Sequence, residues 1–208
     1  ALPILKIVQG STMCNCWLYT HLMISWPAQQ PTLTEDEITL RPTRHDDAPH
    51  MWRYISNDAE IRQFTRVPSP YEEHHSVEAI DGWQRDFEAE EVLQFAVTLA
   101  DGPIVGQVTL FAINQHDHTA ELGYLLAASA RGNAVMARSV ELLVDYAFAI
   151  GFRKIYAYTH PLNVASIKTL LNAGFEKEAV LKKHMTRRDG VQDDALMFSK
   201  WDESEVVR

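Results

Sequence analysis

The stretch Ala120-Glu121-Leu122-Gly123-Tyr124-Leu125-Leu126, followed by Ala130-Arg131-Gly132-Asn133-Ala134-Val135-Met136, decides the fold of this chain. It reads as a strand carrying one inward carboxylate, then a tight turn of small residues, then the start of an amphipathic helix. Such a junction leaves backbone N–H groups unpaired at the helix N-terminus. Together with the helix dipole they make an anion site suited to a phosphate or pyrophosphate. Small-residue turns before helices are common, so the loop also has a plain reading as a strand–helix connection.

The flanking sequence alternates between two periods. Glu37-Ile38-Thr39-Leu40-Arg41-Pro42 alternates like a short strand. Residues 45–58 and 72–90 carry Met51, Trp52 and Ile55, then Val77, Ile80, Trp83 and Phe87, at helical spacing. Pro68 and Pro70 break the chain between them. Phe95, Val97 and Leu99 alternate with Gln94, Ala96 and Thr98 in a strand. Asp101-Gly102-Pro103 turns it into a second strand over 104–111, and residues 114–118 turn again into 120–126. A helix over about 132–150 follows this antiparallel meander, with Met136, Val140, Leu143, Ala147 and Ile150 on one face and Gly151 as a left-handed stop. A strand over 153–159, a helix over 164–173 ended by Gly174, and two strands either side of Asp189-Gly190 complete the pattern. Together they describe an α/β fold with a mixed sheet and helices on both faces.

The 208 residues include 46% hydrophobic and 23% charged side chains, an ordinary globular composition for one domain with a full core. Acidic residues number 28 against 19 basic ones, a formal charge of −9. No Lys/Arg stripe marks a nucleic-acid footprint. The charge is compatible with a cationic partner, an amine or a basic peptide, and equally with simple solubility. Cys14 and Cys16 are one residue apart, poorly placed for a disulfide, and only His21 lies near as a further metal ligand. They are read as incidental, and the rest of the chain has no thiol for a covalent intermediate.

Residues 1–34 differ in character from the remainder of the chain. Residues 1–26 are apolar-biased, but without a span of ~20 apolar residues no membrane helix is expected, and without a basic n-region and a clean apolar run before a cleavage site no signal peptide is expected. They are read as an N-terminal extension to a domain over 35–205, and a cytoplasmic location with no membrane partner is expected.

A second constellation lies after the next strand. In His160-Pro161-Leu162-Asn163-Val164-Ala165-Ser166, Asn163 is a good N-cap with Ser166 at the third helical position, and Ala173-Gly174-Phe175 makes a C-terminal cap. Together with Ile38 to Pro42, Ile104-Val105-Gly106, Ala120 to Tyr124 and Arg131 to Met136, this order resembles the GNAT superfamily of acyl-CoA-dependent N-acetyltransferases. More narrowly it is similar to the RimJ/RimL branch, which acetylates protein N-termini.

The resemblance implies a GNAT fold whose central strands splay, with acetyl-CoA as cosubstrate. Its arm would bond the backbone of Tyr124, Leu125 and Leu126, and its pyrophosphate would meet Arg131, Gly132, Asn133, Ala134, Val135 and Met136. Asn163 would bond the arm, and Ser166 would place a hydroxyl near the sulfur. The family pattern usually has Gly at Ala134. An alanine disfavours positive φ, which weakens binding without abolishing it, because alanine enters a helical first turn easily. Glu121 is the candidate base, acting directly or through water, with Gly123 leaving room on the same strand face. A structural hydrogen bond is the competing reading of Glu121. The tyrosine that many relatives use as acid falls at Leu170, and a glutamate of some RimL-type enzymes falls near His184-Met185, which puts the base in question.

Acceptor chemistry follows from proton affinity. A free α-amine titrates near about 7.7–8.0 and a lysine near about 10.4, so the latter costs roughly 3.4 kcal/mol more to deprotonate. A protein or peptide N-terminus is therefore the expected acceptor, reached by direct transfer. A small-molecule acceptor (polyamine, aminoglycoside or amino-acid derivative) and a catalytically silent acyl-CoA-binding module remain open alternatives, as does a homodimer. Asp86, Glu88, Glu90 and Glu91 are candidates for attracting a cationic acceptor, or else a solvated helix end. No metal is expected: His74-His75 would point apart on a helix, and His116-Asp117-His118 sits in a turn.

Overall fold

Thr119, Ala120 and Glu121 pair in parallel with Lys154, Ile155 and Tyr156, and the pairing stops there. This parting of two central strands organises the computed structural model, which describes residues 23–203. Eight strands form one sheet: β1 (Leu33–Glu35), β2 (Ile38–Arg41), β3 (Leu93–Leu99), β4 (Ile104–Asn114), β5 (Thr119–Leu126), β6 (Lys154–Thr159), β7 (Glu176–Thr186) and β8 (Gln192–Trp201). Their order is β1-β2-β3-β4-β5-β6-β8-β7. Every neighbouring pair is antiparallel except β5 and β6. The helices are α1 (Ala48–Ser56), α2 (Ala59–Phe64), α3 (Glu73–Glu88), α4 (Val135–Ala149) and α5 (Val164–Asn172). Among the described residues no helix is long and apolar enough to cross a membrane.

The sheet is covered on both faces, so β3 reads as a nearly continuous buried run rather than a half-exposed one. Leu93, Phe95 and Val97 join Val140, Leu143, Val144 and Ala147 of α4 in one cluster. Ala96 joins Met51 and Ile55 of α1, Ile61 of α2 and Ile80 of α3 in the other. Each fully buried Leu or Val on α4 contributes about 1.5–3 kcal/mol of apolar burial. The glycine stops act as expected. Gly151 (φ +108°) and Gly174 (φ +80°) are left-handed, and Phe152 and Phe175 bond back to Ala147 O (3.0 Å) and Leu170 O (2.9 Å).

Several expectations are corrected. The segment 45–58 is a 3-10 turn (His45–Asp47) followed by α1, because Asp47 accepts both Arg41 Nη atoms (2.8 and 2.7 Å) and Arg44 N (2.8 Å). Helix α2 was not anticipated. Asp58 starts it by accepting Glu60 N (2.9 Å) and Ile61 N (3.1 Å) on Oδ1. Residues 24–34, read as part of an extension, pack against the sheet and its helices. Ile24 is buried, Ser25 N donates to Ile150 O at 2.7 Å, and Trp26 Nε1 donates to Phe87 O at 3.1 Å. Leu33 then pairs with Leu40 at the sheet edge. Apolar side chains and ladder hydrogen bonds hold this stretch, which composition alone did not reveal. Cys14, Cys16 and His21 lie outside the described residues.

Gly106 sets how closely β5 approaches β4. A Cβ there would stand 2.7 Å from Leu125 O and 2.9 Å from Leu126 Cδ1. Gly106→Ala is therefore expected to lower stability by about 1–3 kcal/mol, as overpacking does. Urea unfolding would read this as a lower midpoint with an unchanged slope.

Candidate active site

Ala127 N donates to Val105 O at 2.8 Å, which fixes the alternation of the β4–β5 ladder. Antiparallel pairs exchange backbone bonds at every second residue. Leu125, Gly123 and Glu121 therefore bond toward β4, while beyond the last pairing with Tyr156 the C=O of Leu122 and the N–H and C=O groups of Tyr124 and Leu126 face the gap left by β6. Buried backbone groups of this kind need partners, and Leu126 O is met on that side by Arg131 Nη2 at 3.0 Å.

Two connected lobes fill the gap. The narrower, about 120 Å³, is lined by Tyr124, Leu125, Leu126, Arg131, Met136 and Asn163 among others. The wider, about 330 Å³, is lined by Glu121, Arg66, Phe111, Tyr158, His160 and Met185 among others. Phe64, Thr65, Tyr124, Leu125, Asn163 and Ser166 border both. An extended chain fits the first lobe, and a bulkier group fits the second.

At the outer end of the narrow lobe, α4 begins without a side-chain cap, because its N-cap is Ala134. The first helical bond is Arg138 N to Ala134 O, 3.0 Å, so the N–H groups of Val135, Met136 and Ala137 have no intrahelical acceptor. Gly132, Asn133 and Ala134 are exposed, and nothing lies within 4 Å of a Cβ built on Gly132. This open turn fits an anion. Arg131 organises it from behind. Its guanidinium is held by Asp58 (2.5 Å) and Glu60 (2.8 Å) of the α2 start, so its charge is already matched. Ala134 is not in a helical first turn as expected; it is left-handed, at φ +56°.

In the wide lobe Glu121 is the sole carboxylate among the lining residues. It takes part in no hydrogen bond or ion pair among the described residues. Burial pushes its carboxyl above the ordinary range, partly opposed by the charge of Arg66. Gly123 does not leave empty space beside it: Phe111 Cε1 lies 3.0 Å from where a Cβ would be. Across the gap, Asn163 Oδ1 accepts Ser166 N at 3.1 Å and so caps α5. Ser166 Oγ sits 2.8 Å from Tyr124 Oη, and Tyr124 Oη also donates to Ser166 O at 3.2 Å. Burial pushes the Tyr124 phenol up to about 12.

Glu121 and Ser166 are thus brought to one cavity, as are Tyr124, Leu125, Leu126 and Asn163. Leu170 is fully buried in the core, so no phenol approaches from α5. The phenol of Tyr124 reaches Ser166 from the facing strand instead, a role the sequence reading missed because it considered only that residue's backbone. Neither His184 nor Met185 supplies a carboxylate; Asp193 stands across the ladder from Met185. His184 lies against Tyr158 (4.7 Å between rings) and Met185 lines the lobe. Asp86, Glu88, Glu90 and Glu91 line neither lobe, and Asp86 O instead closes the end of α3 by accepting Glu91 N at 2.8 Å. His75 Nδ1 accepts Glu72 N at the start of α3 (3.0 Å), and His118 Nδ1 meets Gly151 O (2.8 Å). Phe64, Thr65 and Arg66 were missed with α2, although Asp58-Ala59-Glu60 is a recognisable helix start.

Comparison with known proteins bears on this geometry. A family model described as an acetyltransferase (GNAT) domain matches residues 37–176. The probable N-acetyltransferase YjcK of Bacillus subtilis (strain 168) is 31% identical over 165 residues, covering 76% of this chain and 90% of the relative. Mycobacterium smegmatis RimJ, solved in complex with CoA-disulfide, superposes with TM-score 0.76 at 24% identity, covering 86% of this chain and 90% of that one. The microcin C7 self-immunity acetyltransferase MccE, solved with acetyl-CoA and AMP, gives TM-score 0.76 at 25% identity, covering 81% and 94%.

Ala134 is the residue of the anion turn most open to improvement. A left-handed non-glycine residue costs about 1–2 kcal/mol, and glycine returns part of that as chain entropy. Ala134→Gly is expected to raise stability by about 0.5–1 kcal/mol, seen as a higher melting temperature with the fold unchanged by circular dichroism.

Proposed function

The chain belongs to the GNAT acetyltransferase family, and from that premise we propose that it transfers acetyl from acetyl-CoA to the α-amine of a protein or peptide N-terminus. The observation that carries the acceptor class is the solitary, unpartnered Glu121 in the wide lobe. One carboxylate with a raised pKa is a modest base. It suits an amine near about 8, of which a useful fraction is already neutral at pH 7, better than one near about 10.4. The likeness to RimJ in fold agrees with this reading.

The residues present fit acetyl-CoA. The unpaired amides of Val135, Met136 and Ala137 would receive its pyrophosphate, and the free edge of β5 at Tyr124 would bond its amide-bearing arm as a further strand would. When bound, it supplies the thioester. Glu121 takes a proton from the amine, directly or through water, as the nitrogen bonds to the acyl carbon and the carbon–sulfur bond breaks. Ser166, paired with Tyr124, delivers a proton to the sulfur. Buried among apolar groups, the Tyr124 phenol stays protonated across the working range, so the pair remains a donor at every pH the amine requires. A cytoplasmic setting, where acetyl-CoA and new N-termini meet, belongs to the same proposal.

Glu121→Gln is expected to lower kcat by about 100-fold or more, the usual contribution of general base catalysis, with acetyl-CoA affinity nearly unchanged. Its rate should climb more steeply with pH, because the amine must then lose its proton to solvent. Thiol release measured over pH 6–9 with peptide and with spermidine tests both parts. An unchanged rate removes Glu121 from the role, and turnover of spermidine without peptide overturns the acceptor class.

A further inference from the structure

We propose that the acceptor carries a negative charge close to its amine and that Arg66 recognises it; this rests on the peptide-acceptor reading above. Arg66 follows Thr65, the C-cap of α2, and lines both the wide lobe and the surface pocket beside it. The other basic side chains at that mouth are committed. Arg187 is held by Asp189 at 2.9 Å and lies 3.5 Å from Asp193. Arg188 straps the β7–β8 turn to the end of α2 by donating to Arg62 O (2.8 Å), Thr65 O (3.1 Å) and Val67 O. His160 Nε2 meets Asp193 at 2.9 Å.

Arg66 alone of these has no hydrogen bond or ion pair among the described residues. Its charge is still felt at Glu121, yet the two form no ion pair, so one cavity presents a free cation and a free carboxylate. A ligand that satisfies both places its amine at Glu121 and an anion at Arg66.

For a peptide this describes an N-terminus with Asp or Glu at its first or second residue. A polyamine would instead set a second ammonium against Arg66, and like charges in one cavity repel. The formal charge of −9 is compatible with a cationic acceptor, but the unmatched cation at the mouth is Arg66. The acids named from the sequence sit at the end of α3, away from both lobes.

The test is thiol release with acetyl-CoA and otherwise identical peptides bearing Glu, Gln or Lys at position two, alongside free amino acids and spermidine. The wild-type chain is compared with Arg66→Gln and Arg66→Glu, substitutions at an exposed position. The wild type is expected to favour Glu over Lys by about 10-fold or more in kcat/KM, an amount typical of a charged contact. Arg66→Gln should erase that preference and Arg66→Glu should invert it, with KM for acetyl-CoA unmoved. An unchanged ranking in Arg66→Glu, or charge-blind peptide turnover in the wild type, overturns the assignment and leaves the acceptor class standing. Turnover of spermidine alone overturns both. Turnover of free amino acids alone overturns the peptide class, and Arg66 then stands if Arg66→Glu abolishes it and falls if it does not.

Discussion

Parallel pairing between β5 and β6 lasts three residues, from Thr119 to Glu121, and its end is the constraint from which the site follows. A strand that loses a neighbour inside a sheet exposes backbone groups that must find partners or a ligand. Here those groups belong to Leu122, Tyr124 and Leu126. The same point fixes Glu121, the last paired residue, at the mouth of the gap. Gly106 lets β4 come close enough to hold β5 straight past it, and α5 stands across the opening with Asn163 and Ser166 at its tip. Strand, helix tip and carboxylate are consequences of one divergence.

Much of this was legible in the sequence because its signals are local. Alternation in 94–99 and helical spacing in α4 reported faces that the two-sided core then confirmed. Gly151, Gly174 and Asn163 act where their backbone preferences place them. What was not legible depended on contacts between distant segments. Residues 24–34 look nondescript until Trp26 meets Phe87 and Leu33 pairs with Leu40. Ala134 was expected in a helical turn, but the path from Arg131, anchored on Asp58 and Glu60, turns it left-handed. Tyr124 and Ser166 are 42 residues apart, and no spacing rule joins them.

Electrostatics separate the site from the chain that carries it. The molecule as a whole is acidic, yet the rim of the wide lobe gathers Arg66, Arg187 and Arg188 beside Glu121, the one carboxylate among its lining residues. Aspartates 189 and 193 and a set of backbone carbonyls absorb most of that positive charge. Net charge therefore describes how the chain behaves in solution, while acceptor choice depends on which few side chains remain unmatched inside the cavity.

Hydrogen exchange followed by NMR, with and without CoA, addresses the divergence of β5 and β6 most directly. Slowed exchange is expected at the amides of Tyr124 and Leu126 and at those of Val135, Met136 and Ala137, with little change on the α1–α3 face. Unaltered exchange at both places in the presence of bound CoA, or protection confined to another surface, would contradict the assignment of the gap and the helix tip as one binding site.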